Sequence, residues 1–122
     1  MFNLSRFFKS FHYASQGISF AIKNNQNIKV HLIIAVIVII LALLLGLTKF
    51  ELFAIGITIV LVISVEMINS AIEEVVNLLV NEHRQEAKIA KDVSAGMVLI
   101  VSLFAVVVGF FVFLPHIINL FR

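Results

Sequence analysis

The sequence predicts an all-α integral membrane protein: one amphipathic surface helix followed by three transmembrane helices, all in a single membrane domain spanning residues 1–122. Three observations carry this. The chain is 61% hydrophobic and only 13% charged, with a mean hydropathy of +1.12. A domain of 122 residues has too much surface for its volume to hide that apolar content from water, so lipid must be its solvent. The apolar residues also fall into three long runs, each of a length to cross a bilayer.

The first element covers residues 1 to about 24. At 100° per residue, Leu4, Phe7, Phe8, Phe11, Ile18 and Ile22 fall on one face, with Arg6, Lys9, Tyr13, Gln16 and Asn24 opposite. Phenylalanine against cations suits a helix lying in the membrane interface, although Phe20 sits on the polar side. An amphipathic helix packed on protein would show the same pattern. Asn24 to Asn27 reads as a turn.

The first span is expected at about 30–48. Val30 to Thr48 covers roughly 28 Å, enough for a hydrocarbon core of about 30 Å. Gly46, Lys49 and Glu51 mark a short loop. The second run starts at Leu52 and crosses by about Ile72, and its helical pattern continues to Leu79. Asn81 to Lys91 reads as a polar loop or a water-exposed helix start. The third helix, about 86–114, is expected to stop at Pro115. No cleavable signal peptide is expected, because four cations precede the first long apolar run. Seven of the nine Lys and Arg residues precede span one or span three, which predicts a cytoplasmic N-terminus and second loop.

The chemistry concentrates in Glu66-Met67-Ile68-Asn69-Ser70-Ala71-Ile72-Glu73-Glu74-Val75-Val76-Asn77. Glu66 falls about 14 residues into span two, where an ionised acid costs about 3 kcal/mol or more. An ionisable residue at that depth points to function. Glu66, Asn69, Glu73 and Asn77 recur at i, i+3, i+7 and i+11, within an arc of roughly 80° on a helix. They form one polar stripe from mid-membrane towards the cytoplasmic surface, with Glu74 off it. Carboxylates held away from water are more basic, which suits Glu66 to general-base work. Glu73, closer to water, offers a hard oxygen donor for Mg²⁺. A polar seam that only holds helices together would also use Asn and Ser. The second cluster, Lys91-Asp92-Val93-Ser94-Ala95-Gly96, brings a cation and small residues to the depth of Glu73.

Several classes are excluded. The five glycines form no P-loop and no dinucleotide fingerprint, and no His-Glu-x-x-His occurs. The chain has no cysteine, so it holds no disulfide or thiolate metal site. His12, His31, His83 and His116 are scattered and read as interfacial or loop residues. No nucleic-acid partner is expected.

The stretch Glu66-x-x-Asn69-Ser70-Ala71-Ile72-Glu73-x-x-Val76 resembles the signature of the prokaryotic diacylglycerol kinase family, including its Gram-positive undecaprenol kinase branch. Ala90-Lys91-Asp92, then Ala95-Gly96-Met97-Val98-Leu99, looks like the family's second block. Arg6-Phe7-Phe8-Lys9-Ser10-Phe11 with Tyr13, Gly17 and His31 is similar to the Gram-positive branch. The resemblance implies a homotrimer in the bacterial inner membrane with composite sites between subunits. It also implies transfer of the γ-phosphoryl of MgATP to a lipid alcohol, undecaprenol or diacylglycerol. Glu66 matches the catalytic base and Asn69 a residue organising the site. Glu73 matches a metal ligand; Lys91 and Asp92 match nucleotide contacts. Arg6, Lys9 and Tyr13 match surface-helix positions near the nucleotide. Two positions depart from the family: Asn25 stands where an acid shares the metal, and Asn77 ends the signature where the family has Asp, beside the nucleotide. Each keeps an oxygen donor and loses a charge, which weakens Mg²⁺ binding. Two alternatives to active kinase chemistry are a homologue that binds nucleotide or lipid without turnover and a small proton or solute pathway.

Overall fold

The computed structural model describes residues 1–122 as four helices: α1 Leu4–Asn24, α2 Gln26–Leu44, α3 Lys49–Leu79 and α4 Gln85–Leu120. The last three are long and apolar enough to cross a membrane. Their lengths of 19, 31 and 36 residues correspond to roughly 28, 46 and 54 Å at 1.5 Å per residue. α3 and α4 therefore exceed a hydrocarbon core of about 30 Å.

Each connection has a local cause. Asn3 caps α1, accepting from the Arg6 N–H at 3.2 Å. The turn expected over Asn24 to Asn27 contracts to Asn25 alone, because Asn25 both ends α1 and caps α2. α2 closes with Gly46 at φ +68°, a left-handed conformation that glycine adopts without a Cβ clash. The Leu47 N–H returns to the Ala42 carbonyl at 3.1 Å and the Gly46 N–H to Leu43 at 3.3 Å. The former is the six-to-one bond of a Schellman ending, and the Leu47 and Ala42 side chains meet beside it in the core. Thr48 then starts α3 through a capping box: its N–H meets Glu51 Oε2 at 2.8 Å and its Oγ1 accepts from the Glu51 N–H at 3.3 Å.

α4 corrects one expectation. It runs through Pro115 to Leu120 rather than stopping there. Proline removes one backbone donor, but apolar surroundings make breaking the remaining helical bonds costlier still, so spans tolerate it. His116, the residue immediately after the proline, is thereby held in helix and meets Glu51, with Nε2 at 3.0 and 3.1 Å from its two carboxylate oxygens.

α4 packs most extensively on α3, α2 also lies against α3, and α1 touches α2 and α3. The buried residues of α3 are Ile55, Thr58, Val62, Glu66 and Asn69, a three-and-four spacing that defines one face. α2 answers with Ile28, Ala35 and Ala42. The apolar cluster of Ala42, Leu47 and Ile55 lies at the end of this seam away from Glu66. The packing face of α3 thus begins apolar and becomes polar, and its polar end is the predicted stripe.

Candidate active site

Three strings of hydrogen bonds tie the stripe to its neighbours. At the deepest level, Glu66 is 1% exposed, and Asn25 Nδ2 donates to its Oε1 at 3.2 Å. Ser70 donates to the Glu66 carbonyl at 2.9 Å, and Asn25 Nδ2 also lies against Ser70 Oγ. A buried acid without such partners would carry the full cost of lost hydration.

One turn further, Asn69 is 4% exposed and Ser94 3%. Ser94 Oγ donates to Asn69 Oδ1 at 2.6 Å and also lies 2.9 Å from the Lys91 carbonyl. Asn69 Nδ2 makes a long bond to Glu73 Oε1 at 3.4 Å. Ser94 of α4 therefore fixes the Asn69 amide, and Asn69 aims its donor side at Glu73. At the outer level, Lys91 Nζ donates to Asn77 Oδ1 at 2.6 Å. The seam accordingly grades from a sealed carboxylate to a half-buried Glu73 and an exposed Asn77.

Two clefts open on this outer end. One, of about 520 Å³, lies between the end of α1 and α3 and is lined by Gly17, Phe20, Asn25, Ser70, Glu73 and Glu74 among others. The other, of about 490 Å³, includes Asn77, Arg84, Lys88, Lys91 and Asp92. One turn from Glu66 in the opposite direction, Val62 borders an apolar groove of about 290 Å³ that runs past Ala35, Ile59 and Gly109 to Phe113.

The expected site residues are not all gathered. Glu66, Asn69, Glu73, Asn77, Lys91 and Asn25 converge. Asp92 instead pairs with Lys88 at 2.6 Å, with both side chains largely exposed. Arg6, Lys9 and Tyr13 are exposed on α1. Even Tyr13, the nearest of the three, precedes Asn25 by 12 residues, roughly 18 Å along a helix, so these three do not reach the stripe of their own chain. The Asn25 oxygen, expected to face a metal, caps α2 instead, accepting from the N–H groups of Asn27 at 2.8 Å and Ile28 at 3.3 Å. Ser94 was legible in the sequence only as a small residue. Its spacing of three from Lys91 was the sign that both share a face.

Comparison with known proteins places the chain in a family. The family model of prokaryotic diacylglycerol kinase matches residues 12–113. The chain belongs to that family. It is 40% identical over 112 residues to a diacylglycerol kinase of Synechocystis, covering 91% of this chain and 64% of that longer protein. It is 37% identical over 112 residues to the undecaprenol kinase of Bacillus subtilis, covering 92% of this chain and 91% of the relative. A diacylglycerol kinase of Haemophilus influenzae is 33% identical over 97 residues, 80% of this chain and 82% of the relative. The matched residues include the whole polar stripe and Lys91, Asp92 and Ser94.

Proposed function

We propose that the protein is a lipid kinase of the bacterial inner membrane, transferring the γ-phosphoryl group of MgATP to the hydroxyl of undecaprenol or diacylglycerol. The observation that carries this reading is the graded seam from buried Glu66 to exposed Asn77, in a chain of this family. Catalysis of phosphoryl transfer needs positioning and charge neutralisation more than covalent chemistry, and the seam offers both.

In this mechanism the Glu66 carboxylate accepts the proton of the lipid hydroxyl as that oxygen attacks the γ-phosphorus. The bond from the γ-phosphorus to the β-bridging oxygen breaks, and ADP leaves. Asn69, fixed by Ser94, holds the reacting groups in register. Lys91 and Asn77 sit in the outer cleft where the phosphates enter, and Lys91 neutralises developing charge; Asp92 contacts the nucleotide there. A Mg²⁺ ion bound with ATP would supply charge neutralisation at the phosphates. Such an ion keeps several waters and needs only one or two protein carboxylates. Glu73 fits that need, since one oxygen is engaged only by the long bond from Asn69. The chain builds no cage of three or more acidic or histidine side chains by itself.

The apolar groove beside Val62, one turn from Glu66, suits the hydrocarbon body of a lipid. α1 lies on the cytoplasmic membrane surface. Arg6, Lys9 and Tyr13, too far to serve their own stripe, serve the nucleotide of a neighbouring subunit in a homotrimer. The test is transfer of label from γ-labelled ATP into lipid, by purified protein in bilayers containing either alcohol. Label in the organic phase is expected. ATP left intact with both alcohols would overturn the reading.

A further inference from the structure

The side-chain amide of Asn25 has four hydrogen-bonding capacities, two lone pairs and two protons, and all four are used. Its Oδ1 takes the Asn27 and Ile28 N–H groups, at 2.8 and 3.3 Å. Its Nδ2 turns the other way, donating to Glu66 Oε1 at 3.2 Å and meeting Ser70 Oγ. Ser70 spends its own proton on the Glu66 carbonyl, so its oxygen accepts from Asn25. The amide cannot be reversed: a flip would face N–H against two N–H donors and oxygen against a carboxylate. Asn25 is also the single side-chain donor to the Glu66 carboxylate, in a residue that is 1% exposed.

We propose that Asn25 is a positioning residue for the base, not a ligand of the metal. No lone pair is left for Mg²⁺ while α2 keeps its cap. One proton holds the Glu66 carboxylate in a single orientation. Because the same side chain starts α2, the corner between α1 and α2 is tied directly to the base across 41 residues of sequence. The inference rests on the kinase reading for its catalytic meaning, but its contact can be tested without turnover.

The decisive variant is Asn25→Asp. Aspartate caps helices as well as asparagine, so the start of α2 is retained. The donor to Glu66 becomes a second carboxylate oxygen. The thermal unfolding midpoint of Asn25→Asp in detergent at neutral pH should fall, and adding Glu66→Gln should restore it, because glutamine supplies a donor. In lipid-dependent turnover, Asn25→Asp should lower kcat by roughly 10- to 100-fold, the range for residues that orient a ligand or base. KM for MgATP and the Mg²⁺ needed for half-maximal rate should stay unchanged. Two outcomes overturn the proposal. An unchanged midpoint and kcat would leave Asn25 as a helix cap alone. A raised rate at lower Mg²⁺ would make position 25 a metal ligand. Absence of turnover in the unsubstituted protein would count against the kinase reading, while the paired midpoints would still decide whether Asn25 bonds Glu66.

Discussion

Asn69 shows how few atoms set the geometry of the seam. Its oxygen is held by Ser94 and its nitrogen faces Glu73, so rotating the amide breaks both contacts. Ser94→Ala would leave the buried Asn69 oxygen without its donor. The expected cost is about 1–3 kcal/mol of stability, read as a lower unfolding midpoint in detergent, together with slower turnover. Lys91 holds Asn77 by a charge-assisted bond, the stronger class of hydrogen bond. Lys91→Met should raise KM for MgATP by roughly tenfold, the equivalent of about 1.4 kcal/mol of binding, with a smaller effect on kcat. At this scale the sequence shows the stripe but not its partners. Glu66, Asn69, Glu73 and Asn77 share one helix, and helical period alone aligns them. Asn25 and Ser94 come from 41 and 25 residues away, and no local pattern encodes which lone pair faces which proton.

The helices are terminated by chemistry readable from composition, with two instructive exceptions. Gly46 and the Thr48–Glu51 box enclose the short connection between α2 and α3. Gly46→Ala places a Cβ in the left-handed region and should cost about 1–2 kcal/mol, seen as a lower midpoint with no change in KM. Pro115 reads as a stop because proline ends helices in water; in an apolar setting α4 continues past it. The four-residue polar stretch Asn24 to Asn27 reads as a turn because its composition suits one, yet one saturated asparagine suffices to change helix direction. In both cases the sequence gives the breaking residue, while the environment decides how much helix is broken.

Only 11 of 122 residues are buried in the single chain, so almost all its apolar surface faces outward. Three helices apolar enough to cross a membrane carry that surface, and it is at this scale that the proposed service of Arg6, Lys9 and Tyr13 to a neighbouring subunit belongs. Mass measurement in detergent should give three copies of the 13.6 kDa chain rather than one. The chain lacks cysteine, which makes its orientation directly measurable. Asn81→Cys should react with an impermeant thiol reagent only from the cytoplasmic side, and Arg122→Cys only from the opposite side, as the distribution of basic residues requires.

The central claim is that Glu66 is the base of a lipid kinase. Its most direct test is lipid-dependent ATP turnover in bilayers by the unsubstituted protein and by Glu66→Gln, each shown to be folded by its unfolding midpoint. The account predicts turnover that requires a lipid alcohol and falls by roughly 10²- to 10⁴-fold in Glu66→Gln, the contribution of a general base. A folded Glu66→Gln protein that phosphorylates lipid at the unsubstituted rate would contradict it.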